Sequence, residues 1–317
     1  MSSVQLPSNL NLYGIAPARN GLLLTGDTTR GACAFVRVAQ APLRITAHGT
    51  TACSRTSAEP VHPVLAYDRK NFNVRVRIAR GTREGPVVMT FQQVSDTQLE
   101  WAYGPNTLWL FDTATTHGAE VMQISATTGR IENVVRMPRI FRPVLAADDD
   151  GLWLAIAPNG GYPDEASTRA PIYHVAPGTR TAVVVHYGGR AALWIVAAGH
   201  AVWADVLTGQ DGAEIWRFDG ASGTAHALAS ARGLNSWAAG VNPRGPSIWA
   251  VREVPVSRKY FSCSLLRVIR INGRTGKQSL ATDIPTPGSQ CYGVTYGTFA
   301  GGAFWFLDGP RLYRVAA

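Results

Sequence analysis

Arg142 and Arg190 each stand just ahead of a short apolar run, and Glu100, Trp101, Trp237 and Tyr292 hold matching places in other runs. Guanidinium groups clamp a carboxylate, phosphate or sulfate in a bidentate manner, and aromatic faces cover rings. Such a set predicts capture of an anionic molecule. The competing arrangement is internal, with Arg142 and Arg190 satisfied by Glu100 or Glu59. Two stretches between apolar runs are long: Pro158 to Pro171, carrying Tyr162, Asp164, Glu165 and Arg169, and Val254 to Cys263, carrying Arg258, Lys259, Tyr260 and Phe261. Long loops on a rigid scaffold are where binding groups collect. Tyr13, Arg30 and Arg311 fall at matching places. His117, with Glu120 nearby in sequence, is the histidine best placed for acid–base work, although a lone loop histidine is otherwise simply exposed.

The chain carries no Gly-x-Ser-x-Gly elbow, no Gly-x-Gly-x-x-Gly fingerprint, no phosphate loop and no His-Glu-x-x-His. No catalytic residue can therefore be assigned. Asp148-Asp149-Asp150-Gly151 offers oxygens of the kind calcium takes, but its place between two runs reads as a solvated hairpin turn. His174, His186, His200 and His226 lack metal-ligand spacing. Neither a metal nor a cofactor is expected. The net charge of +9 comes with 27 arginines among the 30 basic residues, scattered singly. With no basic block and no RNA-binding or helix-turn-helix pattern, nucleic acid is not an expected partner. No apolar run approaches the roughly 18 residues that span a bilayer. Met1-Ser2-Ser3-Val4 lacks signal-peptide character, so an exported protein would have lost its signal from this sequence.

What must position these residues is a repeat. Trp109, Trp153, Trp203, Trp249 and Trp305 sit in short apolar runs such as Leu108-Trp109-Leu110-Phe111-Asp112, spaced 44 to 56 residues apart. That is the period of a four-stranded propeller blade. The clearest unit has strands at Leu99 to Tyr103, Leu108 to Asp112, Glu120 to Ser125 and Ile131 to Met137, with Thr127-Thr128-Gly129-Arg130 as a tight turn. The last repeat has only three strands at the C-terminus, and Ser3 to Leu6 resembles the end of a fourth strand. The expectation is an all-β chain, one domain over residues 1–317, forming a seven-bladed β-propeller closed by its N-terminal strand. The five tryptophans fill the wedges between sheets. Trp101, Trp194 and Trp237, on innermost strands, are the candidates for stacking on a sugar. Arg75, Arg77 and Arg80 lie in an alternating strand and should face solvent.

The blade pattern of "DDDGLWLA" (Asp148 to Ala155), followed by "EVMQIS" and "TTGRIENVVRMP" in the neighbouring repeat, resembles streptogramin-lyase-like and related NHL-type propellers. The resemblance implies the fold. It carries over no catalytic residue, because the metal-binding histidine and glutamate set of those lyases has no match here. Aligning repeats puts Cys33 and Cys263 ahead of third strands, and Cys53 and Cys291 where the next repeat begins. Bridges Cys33–Cys53 and Cys263–Cys291 are the expected pairing, with four free thiols the alternative. Persistent bridges point to a secreted or cell-surface protein. The expected function is a binding module that recognises an anionic small molecule, glycan, peptide or partner protein through its looped face. The alternative is a lyase or hydrolase at the same place.

Overall fold

The structure is a computed structural model. It describes the chain except residues 19–20, 31, 52–60, 69–72, 82, 93–98, 116–117, 139, 141–142, 157–170, 186–190, 209–212, 220–221, 233–235, 243, 246, 256–261 and 291–293. The side chains of 13, 67–68, 92, 113–115, 229–232, 236–238, 255, 262–263, 287–290 and 295 also lie outside the description.

Strand β1 (Ser2–Gln5) is followed by a sheet of β2 (Leu10–Ala18), β3 (Gly21–Thr28), β4 (Cys33–Gln40) and β5 (Leu43–Thr50). The next sheet has three described strands, β6 (Val61–Asp68), β7 (Asn73–Arg80) and β8 (Arg83–Gln92). Four-stranded sheets follow in sequence. They are β9 (Leu99–Tyr103), β10 (Thr107–Thr115), β11 (Gly118–Ser125) and β12 (Ile131–Met137); then β13 (Pro143–Asp148), β14 (Gly151–Ile156), β15 (Ile172–Val175) and β16 (Val183–Val185). After these come β17 (Ala192–Ala198), β18 (Ala201–Leu207), β19 (Ala213–Asp219) and β20 (Thr224–Arg232), then β21 (Ser236–Asn242), β22 (Ser247–Pro255), β23 (Ser262–Asn272) and β24 (Gln278–Gln290). The last sheet runs β25 (Val294–Ala300), β26 (Ala303–Asp308), β27 (Arg311–Ala316), and β1 completes it against β27. This is an all-β seven-bladed propeller, with the N-terminal closure the sequence predicts.

Two compact units can be distinguished. Unit 1 is Met1–Ala58 with Leu228–Ala317, and unit 2 is Glu59–Ala227. In both, alternation along each strand puts apolar residues into the seams between sheets. Unit 2 packs Trp109 and Phe111 with Leu152, Leu154 and Val175, and Trp153 with Val202, Ala204 and Phe218. Unit 1 packs Trp249 with Phe304 and Phe306, and Trp305 with Leu6, Leu22 and Leu24. All five repeat tryptophans are 0–3% exposed, the packing role the sequence assigns them. The tight turns behave as expected too. Gly129 and Gly276 adopt φ of +71° and +74°, and their amides donate 2.8 Å bonds to Ser125 and Asn272 carbonyls.

Candidate functional site

In unit 1 the strand β25 packs against both β2 and β21, and all three innermost strands share one irregularity. Pairing jumps from Leu12–Gly26 to Gly14–Thr25, from Ser236–Arg252 to Ala238–Val251, and from Thr295–Leu307 to Gly297–Phe306. Each strand therefore carries one extra residue, and in each it is aromatic: Tyr13, Trp237 and Tyr296. A bulge bends its strand and re-aims the residue it adds, which is why bulges gather beside functional sites. Tyr296 has φ of +48°, a conformation bulky residues rarely take, and is 44% exposed. Glycines bring the strands together. A Cβ on Gly297 would lie 2.7 Å from the Ala239 carbonyl oxygen, and one on Gly240 3.0 Å from the Thr298 carbonyl carbon. In unit 2, β17 has the same bulge at Leu193.

Carboxylates line the same end of the unit 1 sheets. Asn11 Nδ2 donates to Asp27 Oδ1 at 3.1 Å, and the Val294 amide donates to Glu253 Oε1 at 3.2 Å. Burial and the negative charge of Glu253 push the Asp308 carboxyl above its ordinary range, while Arg311 pulls it down. In unit 2, burial pushes Glu100 up to about 7. Glu100 lies on the same face of β9 as Ala102, which packs with Leu145, Ala147 and Ile156. Trp101, 37% exposed, shares the other face with Leu99 and Tyr103, which pack toward Val61, Val76 and Ile78. The two neighbours therefore serve opposite sides of one strand.

Arg142, Arg190, His117, Arg258, Tyr260 and Tyr292 lie outside the described residues, as does the side chain of Trp237. Trp194 is 4% exposed and belongs to the core, which removes it from the stacking candidates. Asp148 to Gly151 is the β13–β14 turn, as expected, but Asp148 is buried rather than solvated. Its Oδ1 accepts from the Asp150 and Gly151 amides at 3.0 and 3.1 Å and from Trp153 Nε1 at 3.3 Å. His200 Nδ1 stands 3.0 Å from Asp150 Oδ1, which raises the imidazole's pKa. Among the described residues no group of three or more His, Cys, Asp or Glu is assembled to hold a metal.

The described arginines follow a pattern that reading them by charge alone misses. On the third strand of each four-stranded sheet, and on β7 of the sheet with three described strands, one polar residue faces the tryptophan position of the strand before it. The pairs are Leu23–Arg37, Val64–Arg77, Trp109–Gln123, Trp153–His174, Trp203–Arg217, Trp249–Arg270 and Trp305–Arg314. His174 stacks on Trp153 at 4.3 Å, and the Arg270 and Arg314 guanidiniums lie 6.0 and 5.7 Å from the Trp249 and Trp305 ring centroids. These are cation–π and stacking contacts of a scaffold, not a ligand clamp. The signal is an apolar–cation–apolar tripeptide, such as Ile269-Arg270-Ile271 or Tyr313-Arg314-Val315. Arg75 and Arg80 face solvent as predicted; Arg77 is half-buried and donates to the Gly85 carbonyl at 3.0 Å.

Cys33 is disulfide-bonded and no described cysteine is free. Cys53, Cys291 and the Cys263 side chain lie outside the described residues. Peptide mapping without reduction is expected to return Cys33–Cys53 and Cys263–Cys291. Recovery of Cys33 bridged to Cys263 or Cys291 would overturn that pairing.

No protein-family sequence pattern matches this chain, and no curated protein matches it either. Solved structures do. A chain of the mitotic checkpoint complex is 10% identical with a TM-score of 0.57, covering 100% of this chain and 91% of its own. The U3-55K structure is 11% identical with a TM-score of 0.57, covering 97% and 91%. The hydrazine synthase of Kuenenia stuttgartiensis is 12% identical with a TM-score of 0.50, covering 80% and 71%. The first two of these are WD40-type propellers. At such identities the likeness is one of fold, and the resemblance to streptogramin-lyase-like and NHL-type propellers is met at that level, without a family assignment.

Proposed function

We propose that this chain is an exported binding module whose ligand is an anionic glycan, held at the bulged ends of the innermost strands. One observation carries the reading: β2, β25 and β21, packed side by side, each add an aromatic residue at the same register. Aromatic faces suit the apolar faces of sugar rings, and carboxylates such as Glu253 and Asp27 suit their hydroxyls. Propellers commonly serve as binding platforms. The bridged state of Cys33 favours an oxidising compartment. Arg142 and Arg190, in unit 2, are proposed by themselves as an anion-binding pair.

Calorimetry against matched neutral and acidic oligosaccharides tests this. Trp237→Ala and Tyr296→Ala are expected to weaken both kinds of ligand. Arg142→Ala and Arg190→Ala should each cost roughly 1.5–3 kcal/mol of anion binding in unit 2, about ten- to a hundredfold, as for a lost charge-assisted contact. If no oligosaccharide binds, the glycan reading fails. If acidic ligands bind both arginine variants as tightly as the parent, the anion contacts lie elsewhere.

A second reading is a lyase or hydrolase, favoured by Glu100. A carboxyl held at about 7 exchanges a proton readily at neutral pH, which suits general acid–base work. Turnover of any bound oligosaccharide, abolished by Glu100→Gln with binding retained, would decide for it.

A further inference from the structure

A cleft of about 300 Å³ opens in unit 1, where the closing sheet meets the outer strand β24. Its charged groups are Asp308 and Arg311, which face each other across the β26–β27 turn. Among the described residues neither is engaged in an ion pair. A carboxylate and an exposed guanidinium thus stand side by side in a small open cleft without closing on each other. Glu253 adds negative potential on the Asp308 side. Gln5, from the closing strand, and Thr286, 8% exposed, bring hydrogen-bonding groups. Pro285, Pro310 and Tyr313 supply an apolar wall, and Tyr313 is held in place by stacking on Phe306 at 5.1 Å.

The geometry points to a second ligand site here, for a free α-amino acid whose ammonium sits by Asp308 and whose carboxylate sits by Arg311. A simple cation would meet the Arg311 charge, and a simple anion would meet Asp308 and Glu253. Only a dipolar ligand satisfies both. The volume is at the small end of ligand cavities, which suits a molecule of this size. A metal is disfavoured, since no described cluster of three ligating side chains includes these carboxylates. The cleft opens at the same end of the unit 1 sheets as the bulges, but none of the bulge aromatics lines it, so its test does not depend on the glycan reading.

Because Gln5 belongs to β1, the ligand also ties the closing strand to its sheet, and binding to the folded state raises thermal stability. The test is calorimetry and thermal melting of the full chain with the twenty common L-α-amino acids, with n-butylamine and butyrate as single-charge controls. At least one amino acid is expected to bind and raise the melting temperature, with both controls at least about tenfold weaker. Asp308→Asn and Arg311→Gln should each weaken binding at least about tenfold, while Trp237→Ala leaves it intact. Three results would overturn the assignment: no binding at about 10 mM of any amino acid, equal binding of a single-charge control, or unchanged affinity in both variants.

Discussion

A chain that begins at Asn9 is expected to aggregate. β1 pairs with β27 through Ser2–Arg314, Ser3–Tyr313, Val4–Leu312 and Gln5–Arg311, and the Leu6 amide adds a 2.8 Å bond to the Pro310 carbonyl. Removing these residues bares the N–H and C=O groups of a long edge, which template association with another chain. It also uncovers the seam that Leu6, 4% exposed, closes over Trp305, Leu307 and Leu312. Size-exclusion chromatography should show aggregate in place of the parent's elution peak. Leu6→Ala keeps the edge paired and loses only packing, about 2–5 kcal/mol, so it should keep the parent's elution peak with a lower melting temperature. A deletion protein with the parent's elution peak and unchanged melting would show that β1 does not close the sheet.

Asp148→Ala should destabilise the protein by about 3–5 kcal/mol, because it strips one acceptor from three donors in or beside the core. Two are the Asp150 and Gly151 amides and the third is the indole of the fully buried Trp153. Asp148→Asn behaves otherwise. It keeps the acceptor and mimics the protonated acid, whose pKa burial raises to about 6, with the Asp150 charge adding to the rise against three opposing hydrogen bonds. A carboxyl raised from 3.8 to about 6 contributes stability that is fully present below pH 3.8 and lost as pH rises through 6. The parent should therefore lose up to about 3 kcal/mol from this group between those limits. The asparagine variant should match the parent at pH 4 and exceed it at pH 8. Urea denaturation at both pH values checks this, and an asparagine variant weaker than the parent at pH 8 would contradict it.

The scaffold was readable because its signals are local and repeated. Tryptophans at blade spacing, glycine turns such as Thr127 to Arg130, and the half-strand at Ser3 to Leu6 led to β9–β12 and to the β1–β27 closure within a few residues. The arginines were harder. Counted as charge they look scattered; read as the third-strand partners of Trp203, Trp249 and Trp305 they form one series. Site geometry was less accessible still. Nothing in Tyr13-Gly14, Trp237-Ala238 or Tyr296-Gly297 announces a bulge, because a bulge is a mismatch of two strands and exists only in their pairing. Glu100 likewise looks like any strand glutamate until neighbouring sheets bury it. Its altered acidity is a property of packing.

The most direct test of the binding account is hydrogen exchange of the protein with and without its tightest-binding acidic oligosaccharide. Exchange is expected to slow around the bulges of β2, β21 and β25, with the β23–β24 turn at Asn272 to Gly276, at the far end of the same sheet as β21, unchanged. Protection confined to that turn and its counterpart at Thr127 to Gly129, with the bulges unaffected, would contradict it.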